Sequence, residues 1–173
     1  MFKVLFAQVL PKVKEMPDLE LIFRHQVQPW HPQSLILHEA ALAVAKLSPE
    51  EFIAFSAKLF ENQTMFDDVS VWNKGRGEIN KMVAAFAAKE TSVSEKEILD
   101  LLDYDAGPDG SLRNNGNKLA FQIKQCIKYA RKAGVHVSPT VLWNGIEDPN
   151  VGSSFTGEQW MAWLAKKSAE SKL

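Results

Sequence analysis

Apolar and polar positions along the chain follow two kinds of pattern, and together they predict the secondary structure. Apolar runs rich in Val, Leu and Phe at residues 2–10 and 19–28 are typical of β-strands. Apolar residues spaced three or four apart predict amphipathic helices. Signals at their ends support them, such as Ser48-Pro49 or the capping box from Ser94 to Glu97 before a helix and Gly134 after one. The predicted helices span residues 33–47, 49–62, 78–89, 95–102, 117–133 and 159–167. Two further short strands are predicted at 135–137 and 140–143, the second followed by a turn at Asn144-Gly145.

This order of elements predicts an α/β fold with a helical insertion. Two strands and a helix come first, a block of helices follows, and a strand pair with a last helix ends the pattern. We therefore expect a discontinuous core of residues 1–47 and 135–167, an insertion at 48–134, and a flexible polar tail at 168–173. The 173 residues are enough for one domain with a substantial core.

Composition and charge exclude several classes of function. The chain is 46% hydrophobic and 24% charged, which is ordinary for a globular protein. Its formal net charge of −1 gives no electrostatic reason to expect a nucleic acid or an anionic membrane as partner. No apolar run reaches the roughly 20 residues that a membrane-spanning helix needs. We therefore expect neither a nucleic acid nor a membrane as partner.

The chain contains a single cysteine, Cys126, within the predicted helix 117–133. An intramolecular disulfide and a Cys-x-x-Cys redox pair are therefore both impossible. Its neighbours Ile123 and Ile127 lie at helical spacing, which favours a buried structural thiol over a reactive one.

The most informative stretch is Gln28-Pro29-Trp30-His31, between the predicted strand 19–28 and the predicted helix 33–47. A helix that begins at such a turn presents free backbone N–H groups and the positive end of its dipole. Anions and thiolates are stabilised at such a position.

The order of elements resembles the thioredoxin fold, and the helical insertion resembles its DsbA-like branch. DsbA-like proteins carry Cys-Pro-x-Cys between strand and helix, where this chain has Gln28-Pro29-Trp30-His31. The segment 137–141, with Ser138-Pro139 before a short hairpin, is similar to the family's cis-proline loop, and residues 59–63 are similar to a common insertion segment. The resemblance implies a thioredoxin-like core with a helical insertion.

The resemblance also implies which residues would form a site. Gln28 and His31 stand at the two redox-cysteine positions, and any remaining activity would depend on them. Since a glutamine cannot form a disulfide, dithiol–disulfide exchange is excluded. The family's groove beside the cis-proline loop implies a binding site for a peptide, a thiol or another small ligand. Its expected lining residues are Trp30, Ser34, His136, Ser138 and Pro139.

Two other interpretations stay open. Kappa-class glutathione transferases resemble DsbA-like proteins, so glutathione is a candidate ligand whose thiolate Gln28 or His31 would hydrogen-bond. The four histidines suggest a metal site instead, although their spacing matches no standard motif. These histidines are His25, His31, His38 and His136. Apart from glutathione, the sequence indicates no cofactor.

The sequence Ser171-Lys172-Leu173 matches the address read by the peroxisomal import receptor. We expect a peroxisomal location if the source is eukaryotic and a cytoplasmic one otherwise. The import receptor is then a further expected partner.

Overall fold

The computed structural model describes residues 1–106 and 108–170. The targeting signal predicted at Ser171-Lys172-Leu173 lies outside these residues. The described chain is of mixed α/β class and mostly helical. None of its helices is both long enough and apolar enough to cross a membrane.

The strands form two separate antiparallel pairs. β1 (Tyr104–Ala106) pairs with β2 (Leu112–Asn117), with an irregularity in register between the two ends of β1. β3 (Leu142–Trp143) pairs with β4 (Ile146–Glu147) across the predicted Asn144-Gly145 turn. Both turn residues have positive φ, 49° for Asn144 and 86° for Gly145, which is the conformation that a tight hairpin of this kind needs.

Helices make up most of the remaining described structure. They are α1 (Phe2–Val4), α2 (Leu10–Lys14), α3 (Ser34–Leu47), α4 (Phe52–Glu61), α5 (Asp68–Val71), α6 (Arg76–Glu90), α7 (Glu95–Leu102), α8 (Ala120–Lys132) and α9 (Gly157–Glu170). A π-helical segment, Leu5–Val9, joins α1 to α2. Short 3₁₀ turns, Pro49–Glu51 and Gln63–Phe66, precede α4 and α5.

The strand predicted over residues 2–10 is wrong, because this segment is helical. Val9 and Val13 are four residues apart and both are buried, which is the spacing of one helical face. They pack in one cluster with Trp160 and Leu164 of α9. A short apolar run fits a buried strand and a buried helix equally well, and here tertiary packing selected the helix.

The second predicted strand, residues 19–28, is also wrong. This segment is not in a helix and makes no strand pairing. Leu21 and Ile22 are exposed, so its apolar run does not form the central strand that the sequence suggested. The strand predicted at 135–137 is likewise absent.

Several predicted boundaries are confirmed. The capping box before α7 is present, since Ser94 Oγ accepts from Glu97 N–H and the Glu97 carboxylate accepts from Ser94 N–H. Gly134 follows α8 with a φ of 69°, as expected for a glycine that ends a helix. The Ser138–Pro139 peptide bond is cis.

The chain divides into two compact units. Met1–Phe23 and the residues from Val135 onward form the first, and Arg24–Gly134 forms the second. The core of the first unit joins α2 to α9 through Val9, Val13, Val151, Trp160 and Leu164. The second unit has its own larger core, built mainly from α3, α4, α6 and α7. Its most deeply buried large side chains are Phe55, Phe66, Ile98, Leu102, Leu119, Val44 and Val83.

Candidate functional site

A tight turn in the second unit presents the predicted site residues at the start of α3. His31 N–H donates to Gln28 O at 3.3 Å, and Ser34 N–H donates to His31 O at 2.9 Å. Gln28 N–H donates in turn to Ser34 Oγ at 3.2 Å. These bonds hold Trp30 at the surface, where 57% of its area is exposed.

His31 forms the centre of this surface through a contact with Asp68. His31 Nδ1 lies 2.9 Å from Asp68 Oδ2, and the other carboxylate oxygen, Oδ1, accepts from Gln33 Nε2 at 2.8 Å. The bond from Gln33 and then the bond from His31 lower the pKa of Asp68, so the carboxylate is ionised at neutral pH. An ionised carboxylate at Nδ1 fixes the ring orientation and keeps a proton on Nδ1, so that Nε2 is the ring nitrogen that Asp68 does not engage.

One indole ring lies beside His31, and a second lies on the same side of α5 as Asp68. The ring centroids of Trp30 and His31 are 6.5 Å apart. Trp72 follows Asp68 by four residues at the end of α5, so it lies on the same side of that helix, and it is 80% exposed. We call Trp30, His31, Gln33, Asp68 and Trp72 the His31 site.

Asp68, Gln33 and Trp72 were not among the predicted site residues. Asp68 is 37 residues from His31, and no local pattern links the two. The only local signal was the Asp67-Asp68 pair at a helix start, where Asp67 accepts a capping bond from Ser70 N–H.

His25 and His38 form a separate, enclosed pair. Their Nδ1 atoms are 2.8 Å apart, and His38 Nε2 lies 3.0 Å from Gln26 O. Since a carbonyl only accepts, the His38 proton sits on Nε2, and His38 Nδ1 then accepts from His25 Nδ1–H. Burial, and then the neighbouring His38, lower the pKa of His25 to about 3, while burial lowers the pKa of His38 despite the bond to Gln26. Both rings are therefore neutral at pH 7.

This pairing bears on the metal interpretation and on whether His38 could act as a base for Ser34. The described residues contain no group of three or more His, Cys, Asp or Glu side chains that could hold a metal ion. His31 is bonded to Asp68, and His136 is an exposed residue of the other unit. His38 has both ring nitrogens occupied, so it cannot act as a base for Ser34.

Ser138 and Pro139 also belong to the first unit, and both are exposed. The loop that carries them is tied locally, because Thr140 Oγ1 donates to Val137 O at 2.9 Å. Cys126, in the second unit, is half-buried on α8. Burial raises the pKa of its thiol, which disfavours the reactive thiolate.

The His31 site combines an oriented imidazole with exposed aromatic surface. Such a surface can hold a small ligand by one directed hydrogen bond and by contact with the rings. It contains no thiol, so it cannot exchange disulfides. No family model, no curated protein and no solved structure matches this chain.

Proposed function

We propose that this protein is a redox-inactive, DsbA-like protein of thioredoxin type that binds a small thiol, a peptide or another small polar ligand at the His31 site. The observation that carries the proposal is the 2.9 Å contact between His31 Nδ1 and Asp68 Oδ2. The sequence supports the family assignment through Gln28-Pro29-Trp30-His31 at the start of α3 and through Ser138-Pro139 before the β3–β4 hairpin.

The site favours a ligand that carries a hydrogen-bonding group beside an apolar group. With Nδ1 bonded to Asp68, Nε2 is the ring nitrogen that can hydrogen-bond an amide, hydroxyl or thiol group of the ligand. Trp30 and Trp72 expose ring surface that an apolar part of the same ligand would cover. Because Asp68 is held by Gln33 as well, the imidazole is oriented before the ligand arrives.

A second candidate function is a glutathione-dependent transferase, and the position of Ser34 favours it. Ser34 Oγ accepts from the Gln28 backbone N–H, which leaves the hydroxyl proton available to donate. Ser34 is also the first residue of α3, where the helix dipole stabilises a negative charge. A glutathione thiolate placed there would accept a hydrogen bond from the Ser34 hydroxyl and would also be stabilised by the helix dipole.

Titration of the full chain with reduced glutathione, S-methylglutathione and the tripeptide Ala-Gly-Gly tests the proposal, with tryptophan fluorescence and calorimetry as readouts. We expect His31→Gln and Asp68→Asn to weaken binding about tenfold or more, which corresponds to about 1.4 kcal/mol. Asp103→Asn is the matched control, because Asp103 is an exposed carboxylate of the same unit outside the His31 site. The Asp103→Asn variant should bind these ligands with the affinity of the wild type.

The two functions predict different ligand preferences. Binding that needs the free thiol and is lost in Ser34→Ala, together with conjugation of 1-chloro-2,4-dinitrobenzene, favours the transferase. Equal binding of glutathione and S-methylglutathione, or binding of the tripeptide, favours the binding protein. Failure of all three probes to bind, or equal binding by wild type and His31→Gln, overturns the assignment of the ligand to the His31 site.

A further inference from the structure

Charge is unevenly distributed along this chain, although the net charge is only −1. Residues 111–146 contain six of the 20 Lys and Arg residues and none of the 21 Asp and Glu residues. The rest of the chain is correspondingly acidic. The net charge near zero, from which we expected no nucleic acid as partner, therefore conceals a strongly basic segment, and α8 lies in the middle of it.

The cations of α8 gather on one side of the helix. Lys124, Lys128, Arg131 and Lys132 are all exposed; the three lysines are four residues apart, and Arg131 follows Lys128 by three. We call these four residues the basic face of α8. No ion pair joins any of them to another described residue. Lys118 is not counted in the basic face, because its charge interacts with the carboxylate of Asp100 and helps to lower the pKa of that group.

The opposite side of α8 is buried in its own unit. Ile123 is 3% exposed and Ala130 is 6% exposed. The basic face therefore lies on a helix whose other side is packed. Its cations are exposed and form no ion pair with the described residues. Together with Ile127 they line a shallow open depression rather than an enclosed cavity.

An aromatic ring stands beside these cations. Phe121 is 70% exposed and precedes Lys124 by three residues, so it lies on the same side of the helix. Most of the Phe121 ring is therefore not packed within the unit. Regular cations beside an exposed ring are the two features that sequence-tolerant binding of single-stranded nucleic acid uses.

We infer that the basic face of α8 and Phe121 bind single-stranded nucleic acid through its phosphates and one stacked base. Successive turns of α8 place a cation about every 5.4 Å along the axis, so consecutive phosphates of an extended strand can each contact one. Phe121 receives a base at one end of the row. The inference does not use the His31 site.

Two other anionic partners fit these observations less well. A membrane-bound amphipathic helix lays its apolar side into the bilayer, but the apolar side of α8 is already buried, with Ile123 3% exposed and Ala130 6% exposed. An acidic protein segment would pair with the cations, but its carboxylates do not stack on a ring, so it would need a further apolar side chain to cover Phe121. A nucleic acid uses both the cations and the ring.

Fluorescence anisotropy of the full-length protein with a labelled dT12 oligonucleotide at 25–200 mM salt tests the inference. The logarithm of the association constant should fall with the logarithm of the salt concentration with a slope of about −2.8, or about −0.7 for each of four phosphates. The double variant Lys124→Glu/Lys128→Glu should bind at least tenfold more weakly and show about half this slope.

Matched variants distinguish binding at the basic face of α8 from a general effect of the protein's total charge on binding. Lys46→Glu/Lys81→Glu makes the same change of charge at exposed lysines on other helices of the unit and should bind within about twofold of wild type. Phe121→Ala should weaken binding about tenfold with an unchanged slope, because stacking carries no counterion release. His31→Gln should have no effect, which makes a failure here distinguishable from a failure of the His31 site.

Circular dichroism melts confirm that each variant is folded before it is compared. Equal losses in the two double variants would overturn the inference. So would the absence of dT12 binding at 25 mM salt. Tighter binding of polyglutamate, or of phosphatidylserine vesicles, than of dT12 would reassign the basic face to an acidic protein or to a membrane.

Discussion

The buried carboxylate of Glu39 obtains its counter-charge from a residue that is distant in the sequence. It lies within α3 and is only 3% exposed, and its carboxylate forms an ion pair with Arg76 at the start of α6. Burial raises the pKa of Glu39, and the attraction of Arg76 offsets this only in part. Arg24, the arginine nearest to Glu39 in the sequence, lies instead over the ring of Tyr129, 4.0 Å from its centroid.

We predict that Arg76→Met destabilises the protein in a pH-dependent way. Removal of the guanidinium leaves a buried carboxylate without a counter-charge, which costs about 3–5 kcal/mol when the carboxylate is ionised. The pKa of Glu39 in the folded state is already raised and would rise further, so protonation relieves the cost as the pH falls. Urea denaturation should therefore show a larger loss of stability at pH 8 than at pH 5.

Lys81→Met on the same helix is the control for this variant, since Lys81 is exposed and outside any ion pair among the described residues. It should change stability by less than about 0.5 kcal/mol at either pH. A loss in Arg76→Met that is equal at pH 5 and pH 8 would contradict the assignment of Glu39 as the titrating group.

At the scale of elements, the His25–His38 contact ties the extended segment before α3 to that helix. His25 is 6% exposed and lies against the ring of Phe52, with centroids 5.6 Å apart. The segment has no strand partner, so side-chain bonds of this kind replace the ladder that the sequence suggested. Its position beside α3 therefore depends on two neutral imidazoles.

We predict that this pair makes the second unit sensitive to acid. Both histidines have a folded-state pKa below the unfolded value of about 6.5. Below pH 6.5 the unfolded chain takes up protons that the folded chain does not, so stability falls as the pH falls. The loss should approach about 1.4 kcal/mol per pH unit for His25, and His38 adds to it in the same direction. Urea denaturation between pH 7.5 and pH 5 measures it.

His25→Gln/His38→Gln should flatten this dependence while lowering stability at pH 7.5. Phe52→Leu is the control, because it alters the packing around His25 without changing a titrating group. It should lower stability by a similar amount at every pH. An unchanged slope in the double glutamine variant would place the acid sensitivity elsewhere in the chain.

The elements that the sequence predicted correctly are those with local signals. The Ser94 capping box, Gly134 after α8 and the Asn144-Gly145 turn each act over a few residues, and each is present. The apolar segment 2–10 has no such signal. It could bury its side chains as a strand or as a helix, and the choice depended on packing against α9, about 150 residues later.

At the scale of the whole molecule, each compact unit has its own apolar core. The buried cluster of the second unit runs from Ile36 to Leu119, entirely within Arg24–Gly134. The cluster of the first unit is drawn entirely from the remaining segments. A unit that contains its own core can fold alone.

We therefore predict that a chain of residues 24–134 folds cooperatively without the rest of the protein. Circular dichroism should show a helical spectrum and a single sigmoidal urea transition. Val83→Asp in this chain is the matched control, because it places a charge at a fully buried position and should abolish the transition. A non-cooperative transition in residues 24–134 itself would contradict the independence of this core.

Sequence alone determined what depends on composition and on near neighbours. One cysteine excludes disulfide chemistry, capping residues begin α7, and the spacing of lysines on α8 makes a basic face. Only the tertiary structure paired His31 with Asp68, His25 with His38, and Glu39 with Arg76. The reason is physical: helix caps and turns act within about four residues, whereas these pairs span 13 to 37 residues and form only when packing brings their elements together.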